Sequence, residues 1–372
     1  MEVNNINEFI DKDLKEKLED INKAIEESIK ISNDRLNQKI KIASKELKKK
    51  KKERNFRISP FININHDPKL EPELNYIINP ILLILANLET ITQFIFSEQI
   101  DEILEKINKK EKENIVRYFS ELIIQMRDSK VDNPNYTHMH QYFKNKVQSN
   151  KEYLSQKPDF WFTLILKEIE YNIDFVKSND IENIITNDFV LTLCEIEECD
   201  MCNYKNKIPK EKEIIINLTF DSEIEYVEEL NNAFNNLYFG DRIKSQTKYC
   251  PNCSYNLSTS KSFDKTGKYL IINLNQKNAK MGLQFLQNLK IKNNIEGDKT
   301  YEYELISALA DININSDYKG NMNKYSIFLK NFISNQCYKI VQGNTDKIKG
   351  KINEEISGHN PNILIYKKIE QK

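Results

Sequence analysis

The stretches Cys199-Asp200-Met201-Cys202 and Cys250-Pro251-Asn252-Cys253 decide how this chain folds. Each Cys-x-x-Cys turn holds two thiolates, and four thiolates at about 2.3 Å satisfy a tetrahedral Zn²⁺ without leaving a position for water. The four cysteines therefore predict a structural rather than a catalytic zinc site. The 47 residues between the motifs are enough for a long two-stranded projection whose base the metal holds. The alternative is two unrelated motifs or redox pairs, although thioredoxin-like motifs do not come in framing pairs.

Composition narrows the class of protein. The 372 residues carry a net charge of −1, which gives no global electrostatic case for binding nucleic acid or an anionic membrane. No apolar run approaches the roughly 18 residues of a membrane span, and the N-terminus lacks the features of a signal peptide. We therefore expect a protein of the cytoplasm, the nucleus or both, with no membrane partner. Six cysteines fit metal-bound thiolates in a reducing compartment, and Cys194 and Cys337 lie outside the two motifs.

The first 55 residues contain an apolar pattern that repeats every 11 residues. Leu14, Ile25, Leu36 and Leu47 form one row of this pattern. Eleven residues in three turns is about 3.67 residues per turn, close to a straight helix. We predict one long amphipathic helix over residues 14–47 that docks on the body of the protein or on a partner helix. The run Lys48–Lys52 is either a nuclear-localisation or nucleic-acid patch or, as we favour, a solvated helix end.

The rest of the chain is helical first and sheet-forming afterwards. A buried helix is predicted with Pro80 in its first turn, followed by helices over Ile103–Met126 and Phe160–Val176. His138 and His140, two residues apart, favour a loop or surface role over metal binding. From Asp188 onwards the apolar period approaches two, which predicts strands. The strand candidates are Val190–Cys194, Glu213–Phe220, Tyr269–Leu274, Tyr301–Leu309, Tyr325–Leu329, Cys337–Val341 and Ile363–Tyr366, with a short helix over Glu228–Phe239. The fold class is α+β.

This order of parts resembles the ubiquitin-specific protease family over roughly residues 60–370. The segments that match motifs of the family are the two cysteine motifs, Ile214–Leu218, Leu230–Phe234, Leu270–Leu274, Tyr303–Leu305, Tyr325–Lys330, Tyr338–Ile340 and Ile363–Lys368. The resemblance implies a papain-like cysteine-protease hand: a helical thumb at about 74–185, zinc-based fingers at about 186–262 and a β palm at about 263–372. The domain would span residues 56–372, with residues 1–55 as the N-terminal helix and lysine run.

The resemblance also locates a catalytic triad, and all three of its residues are replaced. The family's nucleophilic cysteine aligns on Tyr76, its histidine on Lys324 and its orienting acid on Val341. A phenol with a pKa near 10 cannot replace a thiolate of low pKa. No cysteine or serine occurs between Pro60 and Phe96 that a shift of register could use instead. The sequence therefore predicts a retained fold without its reaction.

A further block bears on ubiquitin binding. The family segment whose acids meet the basic tail of ubiquitin aligns on Gln156–Phe162, with Lys157 and Phe160 in the acid positions. A slip of one residue would instead put Asp159 in the place of the glutamate. At least one carboxylate is lost, and a lysine there would repel an arginine-rich tail.

The favoured function is an inactive protein-binding or scaffold module, in ubiquitin-linked or mRNA-processing complexes of the kind that inactive family members serve. Its partners would be a protein, including ubiquitin or a ubiquitin-like protein, and a helix for residues 14–47. One alternative is an active deubiquitinase with a displaced nucleophile, Cys194 or Cys337, assisted by His359 or His66. The other is a zinc protein that binds nucleic acid, which the acidic residues Glu195, Glu197, Glu198 and Asp200 beside the first motif disfavour.

Overall fold

The computed structural model describes residues 22–23, 30, 72–110, 114–128, 131, 134–149, 157–176, 183–220, 230–239, 243–276, 284–293, 299–311, 325–341, 344–357 and 359–370. Contacts between Cα atoms divide the chain into two compact units, Met1–Arg57 and Ile58–Lys372. Of the predicted helix over residues 14–47, only Asn22, Lys23 and Lys30 are described, and these three are helical. The rest of that helix and the lysine run at 48–52 lie outside the described residues.

The first half of the second unit is helical. It contains α1 (Pro72–Ala86), α2 (Glu89–Ile95), α3 (Glu98–Lys110), α4 (Ile115–Met126), α5 (Thr137–Ser149), α6 (Pro158–Val176) and α7 (Ile184–Asp188). Each longer helix contributes fully buried apolar side chains to one core, among them Ile81 of α1, Ile123 of α4 and Ile165 of α6. No described helix could cross a membrane alone. Only residues 77–86 with α2, bent by 79°, reach the necessary length and composition, and most of their side chains are buried in this core.

Two helix predictions are wrong in detail. Ile103–Met126 is two helices rather than one, because the side chain of Asn114 accepts a hydrogen bond from the Val116 N–H (2.9 Å) and so caps a new helix. Pro80 lies inside α1 rather than in its first turn, since the helix begins at Pro72. Pro80 has no N–H to donate to the carbonyl of residue 76, and the buried residues on both sides of it keep the helix continuous.

The second half of the unit builds two sheets and two further helices, α8 (Leu230–Phe239) and α9 (Ile352–Ile356). The larger sheet has eight described strands: β3 (Ile215–Phe220), β6 (Tyr269–Gln276), β7 (Asn288–Asn293), β8 (Lys299–Asp311), β9 (Tyr325–Lys330), β10 (Cys337–Val341), β11 (Asn344–Ile348) and β12 (Asn360–Lys368). Their order is β11-β10-β9-β8-β12-β6-β3, with β7 also paired to β8. All pairs are antiparallel except β3 with β6.

The two faces of this sheet belong to different cores. Ile271, Ile327 and Ile363 join the core of the helices. Their neighbours Ile272, Phe328 and Leu364 join a second core on the opposite face, which α8 and α9 help to cover. Successive side chains of a strand point to opposite faces, and the strands were predictable because their apolar residues alternate in this way.

The smaller sheet has four strands in the order β2-β1-β5-β4. They are β1 (Leu191–Glu198), β2 (Lys205–Glu213), β4 (Ile243–Tyr249) and β5 (Asn256–Lys265). The prediction of a two-stranded projection is therefore wrong: β1 and β5 form the central pair, and β2 and β4 add one strand on each side. The predicted fingers segment, residues 186–262, also contains β3, which belongs to the larger sheet and not to this one.

The helices and the two sheets meet at a junction around Gly267, between β5 and β6. The Cα hydrogen of Gly267 faces the backbone of Asp188 at the end of α7: a Cβ there would lie 2.5 Å from the Asp188 carbonyl oxygen. Next to it, the Tyr269 hydroxyl donates to Thr90 Oγ1 of α2 (3.3 Å) and accepts from the Thr90 N–H (3.3 Å). The ring of Phe189 stacks on Tyr269 with 5.0 Å between centroids. Backbone proximity and a buried polar contact thus fix the helices against both sheets.

Candidate functional site

The four motif cysteines come together at one end of the four-stranded sheet. Cys199 and Cys202 lie in the turn between β1 and β2, and Cys250 and Cys253 in the turn between β4 and β5. The Sγ atoms of Cys199 and Cys253 are 3.4 Å apart, those of Cys202 and Cys250 are 3.3 Å apart, and all four lie within 4.8 Å of one another. A tetrahedral metal with sulfur ligands at about 2.3 Å has sulfur–sulfur edges of roughly 3.8 Å. The four thiols therefore have the dimensions of an all-cysteine tetrahedral metal site.

The two motifs share one backbone geometry. The N–H of each first cysteine donates to the carbonyl five residues on, which is Tyr204 in the first motif (2.8 Å) and Tyr255 in the second (2.7 Å). The residue after each second cysteine has a positive φ, 55° at Asn203 and 57° at Ser254. Asparagine tolerates this left-handed region better than most side chains, and serine occupies it here at some cost. Two matching turns thus present their sulfur atoms to a common point.

The position of this cluster corrects the sequence analysis. At the other end of the same strands, Leu191 of β1 and Phe263 of β5 pack into the second core. The cysteines therefore sit at the tips of the hairpins β1–β2 and β4–β5, and the prediction that the metal holds the base of the projection is wrong. Each motif forms the turn of a hairpin, so the metal would join two tips.

The charges beside the cluster are internally paired. The ammonium of Lys248 lies 2.7 Å from a carboxylate oxygen of Glu195 and 2.7 Å from one of Glu197. Hydrogen bonds from Lys248 hold the pKa of both glutamates below the ordinary value. The basic residue closest in sequence to the second motif is thus engaged with acids of the same sheet, which weakens the case for nucleic acid at this tip.

The three positions predicted to replace the catalytic triad fall on elements that pack together. Tyr76 lies one turn inside α1, and α1 packs against β9. Val341 ends β10, where it pairs with Ser326 of β9. Lys324 directly precedes Tyr325, the first residue of β9, and is outside the described residues, as is the side chain of Tyr76. α1, β9 and β10 are therefore in contact in that order, and the placement of the side chains at positions 76 and 324 stays a prediction.

The two cysteines outside the motifs lie away from that region. Cys194 is 1% exposed in β1, its thiol donates to the carbonyl of Ser262 (3.4 Å), and burial raises its pKa. Cys337 packs against the second core, on the face of the large sheet that points away from the helices of the first core. Burial raises the pKa of Cys337 as well. Both thiols are therefore held in the protonated, weakly nucleophilic form.

The histidines proposed to assist those cysteines do not complete a site. His66 is outside the described residues. His359 packs on the ring of Phe328, and its Nε2 lies 3.1 Å from the ammonium of Lys339. Burial first, and then the charge of Lys339, lower the pKa of His359. This histidine is engaged with a lysine rather than with a thiol.

The block predicted to meet a ubiquitin tail lies at the start of α6. Gln156 is outside the described residues. Asp159 is half-buried in the first turn of the helix, and its buried Oδ1 has no hydrogen-bond partner among the described residues. Lys157 directly precedes the helix and is exposed, and its charge lowers the pKa of Asp311 at the end of β8.

Asp311 is a charged residue of this region that the sequence analysis missed. It is half-buried, pairs across the strands with Tyr325, and its Oδ1 accepts a hydrogen bond from Nδ2 of Asn362 (3.0 Å). Burial raises the pKa of Asp311, while Asn362 and Lys157 act in the opposite direction. The only sequence signal is an acid two residues beyond the end of the predicted strand Tyr301–Leu309.

A second missed feature is a buried polar pair between α1 and α5. His140 is 2% exposed, and its Nε2–H donates to Oδ1 of Asn79 at 2.7 Å. The prediction of a loop or surface role is wrong for His140, because α5 turns it inward, whereas His138 on the same helix is exposed. Asn79 and His140 are 61 residues apart, so no local pattern joins them.

Comparison with solved structures defines the class of fold: it is that of a ubiquitin-specific protease, as found in Ubp8 of the SAGA DUB module. No protein-family model and no curated protein sequence matches the chain.

The particular structures are complexes of Ubp8 with Sgf11, Sus1 and Sgf73. The complex bound to monoubiquitin matches with a TM-score of 0.63 at 14% identity, over 84% of this chain and 70% of the other. The complex bound to ubiquitin aldehyde matches with a TM-score of 0.63 at 14% identity, over 86% of this chain and 71% of the other. A yeast SAGA DUB module with a variant Sgf73 gives a TM-score of 0.57 at 15% identity. At such identity the likeness establishes the fold alone.

Proposed function

We propose that this protein is a catalytically inactive relative of the ubiquitin-specific proteases that binds a protein partner, in the first instance ubiquitin or a ubiquitin-like protein. The observation that carries the proposal is the placement of the thiols. The sequence has six cysteines, and all six are described. Four form the cluster at the hairpin tips, Cys194 lies in the small sheet, and Cys337 faces the second core. No thiol remains for the region between α1 and β9.

The residues that stand in the family's catalytic positions support the same conclusion. Tyr76 offers a phenol, Lys324 an ammonium and Val341 an aliphatic chain, so nucleophile, base and orienting acid are all absent from those positions. A protonated lysine cannot accept the proton of a nucleophile, a valine cannot orient a base, and position 76 offers no thiol that either could activate. Changes at all three aligned positions would remove the reaction while the strands and helices of the fold persist.

A binding role is supported by what the fold retains. Two of the similar structures are bound to ubiquitin species, and all contain protein partners. In this chain Asp159, in the first turn of α6, is the carboxylate that the aligned tail block can still offer. The cluster of Cys199, Cys202, Cys250 and Cys253 would hold a structural Zn²⁺ that joins the two hairpin tips, since four thiolates leave no ligand position for water. The location in the cytoplasm, the nucleus or both, and membership of a larger complex, belong to the same proposal.

The experiment combines hydrolysis and binding. Purified protein is assayed with a fluorogenic ubiquitin substrate and titrated with free ubiquitin by calorimetry. We expect no turnover above the buffer rate and saturable binding of ubiquitin. Tyr76→Phe is the matched control, because it keeps the ring and should change neither result. Turnover that persists in Tyr76→Phe and disappears in Cys337→Ala or Cys194→Ala would replace the proposal by the displaced-nucleophile alternative. Absence of both turnover and ubiquitin binding would leave the ubiquitin part of the proposal refuted.

A further inference from the structure

The four motif cysteines form two close pairs, and each pair joins one hairpin tip to the other. Sγ of Cys199 lies 3.4 Å from Sγ of Cys253, and Sγ of Cys202 lies 3.3 Å from Sγ of Cys250. In both pairs one cysteine belongs to the turn between β1 and β2 and the other to the turn between β4 and β5. A disulfide has a sulfur–sulfur distance of about 2.05 Å, so the atoms of each pair need to approach by roughly 1.3 Å. These contacts favour bonds between the two motifs.

Each pair combines one accessible thiol with one buried thiol. Cys253 is exposed and Cys202 is half-buried, whereas their partners Cys199 and Cys250 are 3% and 2% exposed. The two buried cysteines pack with Leu257 of β5 in a small core of their own. A peroxide in solvent can therefore reach one sulfur of each pair, while the other sulfur is held beside it out of solvent. An accessible thiol next to a resolving thiol is the arrangement of peroxide-reactive cysteines.

We propose that the cysteine cluster is also a modification site, which hydrogen peroxide converts into two disulfides, Cys199–Cys253 and Cys202–Cys250. In the first step the accessible sulfur of a pair takes one oxygen atom from the peroxide and becomes a sulfenic acid, and the other oxygen leaves as water. In the second step the buried sulfur attacks the sulfenic sulfur, the sulfur–sulfur bond forms, and the sulfenic oxygen leaves as a second water. One peroxide molecule accepts the two electrons that each pair of thiols loses, and the thiol protons go to the water.

The disulfides would hold the hairpin tips together in place of a metal. A metal ligand must be a thiolate, so sulfur atoms that are bonded to each other no longer serve as ligands and the cluster releases its ion. Both disulfides cross between the turns, so β1–β2 stays linked to β4–β5 after the ion has left. A chelator that removes the ion without oxidation leaves the tips unlinked. The oxidised and the metal-stripped protein should therefore differ, although neither holds a metal.

The test treats the full-length protein with a small excess of hydrogen peroxide. Released metal is measured with a chromogenic chelator, and remaining thiols are counted by alkylation in denaturant. Disulfides are mapped by mass spectrometry of tryptic peptides after partial reduction. Trypsin cuts at Lys205 and Lys248, which lie between the motifs, so a disulfide between motifs joins two peptides. Hydrogen exchange compares oxidised with chelator-treated protein. The control is the double variant Cys194→Ala/Cys337→Ala, which keeps only the four motif cysteines.

We expect peroxide to lower the number of thiols from six to two per chain, and from four to none in the double variant. Bound metal should be lost in the same reaction. Both mapped disulfides should pair an accessible cysteine with its buried partner in the other motif. Hydrogen exchange in β1, β2, β4 and β5 of the oxidised protein should stay below that of the chelator-treated protein, because the disulfides hold the tips.

Three results would overturn the inference: disulfides within each motif, sulfinic acids without disulfides, or motif thiols that excess peroxide leaves reduced. Equal hydrogen exchange in oxidised and chelator-treated protein would overturn the claim that the disulfides hold the tips. Protein that is purified without metal gives the same thiol count and the same map, so the result does not depend on the ion. The inference goes beyond the proposed function, and its test contains no ubiquitin, so the two can fail separately.

Discussion

Replacing Gly267 with alanine should loosen the junction of the helices and both sheets. The new Cβ would lie 2.5 Å from the carbonyl oxygen of Asp188, 2.9 Å from its carbonyl carbon and 3.2 Å from the carbonyl oxygen of Tyr269. All three are backbone atoms, so no side chain can rotate away, and either α7 or the β5–β6 connection must shift. Overpacking of this kind costs about 1–3 kcal/mol. In a domain of this size that lowers the midpoint of thermal unfolding by roughly 2–4 °C per kcal/mol.

Gly350→Ala is the control for this change. Its Cβ would lie 2.6 Å from Oε2 of Glu354, the end of a flexible side chain whose displacement costs only its long, exposed hydrogen bond from the Lys351 N–H (3.4 Å). Both substitutions restrict the unfolded chain by the same amount, about 0.4–1 kcal/mol in favour of folding, so their difference isolates the backbone clash. Thermal and urea unfolding followed by circular dichroism measure that difference. If Gly267→Ala proves as stable as Gly350→Ala, the close packing of Asp188 on Gly267 is contradicted.

Two further perturbations probe the metal cluster and the contact between α2 and β12. Treatment with a strong chelator, or Cys199→Ser, should raise hydrogen exchange in β1, β2, β4 and β5 while β6 and β12 stay protected. The control Cys337→Ala should keep one metal ion per chain. Exchange that rises equally in both sheets would contradict a cluster confined to the hairpin tips. Glu89 accepts a hydrogen bond from Lys367 (2.5 Å), which lowers the pKa of Glu89 below 4.5. Because the pKa of Glu89 is lower in the folded than in the unfolded protein, the ion pair stabilises the fold above the unfolded pKa, and this stabilisation is lost as pH falls through the folded pKa. Glu89→Gln should therefore remove about 0.2–1 kcal/mol of stability at pH 7 and weaken the dependence of stability on pH below 4.5. If the dependence of stability on pH below 4.5 is the same in Glu89→Gln and wild type, this ion pair does not contribute to stability.

Much of the fold could be predicted from local pattern. Ile271, Ile327 and Ile363 alternate with residues of the opposite face, and this period of two identifies their strands. The two cysteine motifs have a spacing specific enough to predict their meeting in space. Such features survive because each depends on residues close together in the sequence.

The features that the sequence does not predict have no pattern among residues that are close together in the chain. β2 and β4 are rich in lysine and lie at the edges of the small sheet, where neither face needs an apolar row. Whether the four cysteines meet at the tips or at the base of the hairpins depends on the direction of β2 and β4, which the sequence does not predict as strands. The contacts of Asn79 with His140 and of Asp311 with Asn362 span 61 and 51 residues, so only the folded chain brings them together.

Covalent capture by a ubiquitin probe with a thiol-reactive C-terminus tests most directly whether the fold has lost its reaction. The protein is incubated with a molar excess of the probe, and its intact mass is recorded alongside that of an active ubiquitin-specific protease. We predict no adduct, because the four motif thiols lie together at the hairpin tips, where they could hold a metal ion, and Cys194 and Cys337 lie away from the region between α1 and β9. A stoichiometric adduct mapped to Cys194 or Cys337, with loss of labelling when that residue is changed to alanine, would contradict the proposed inactivity.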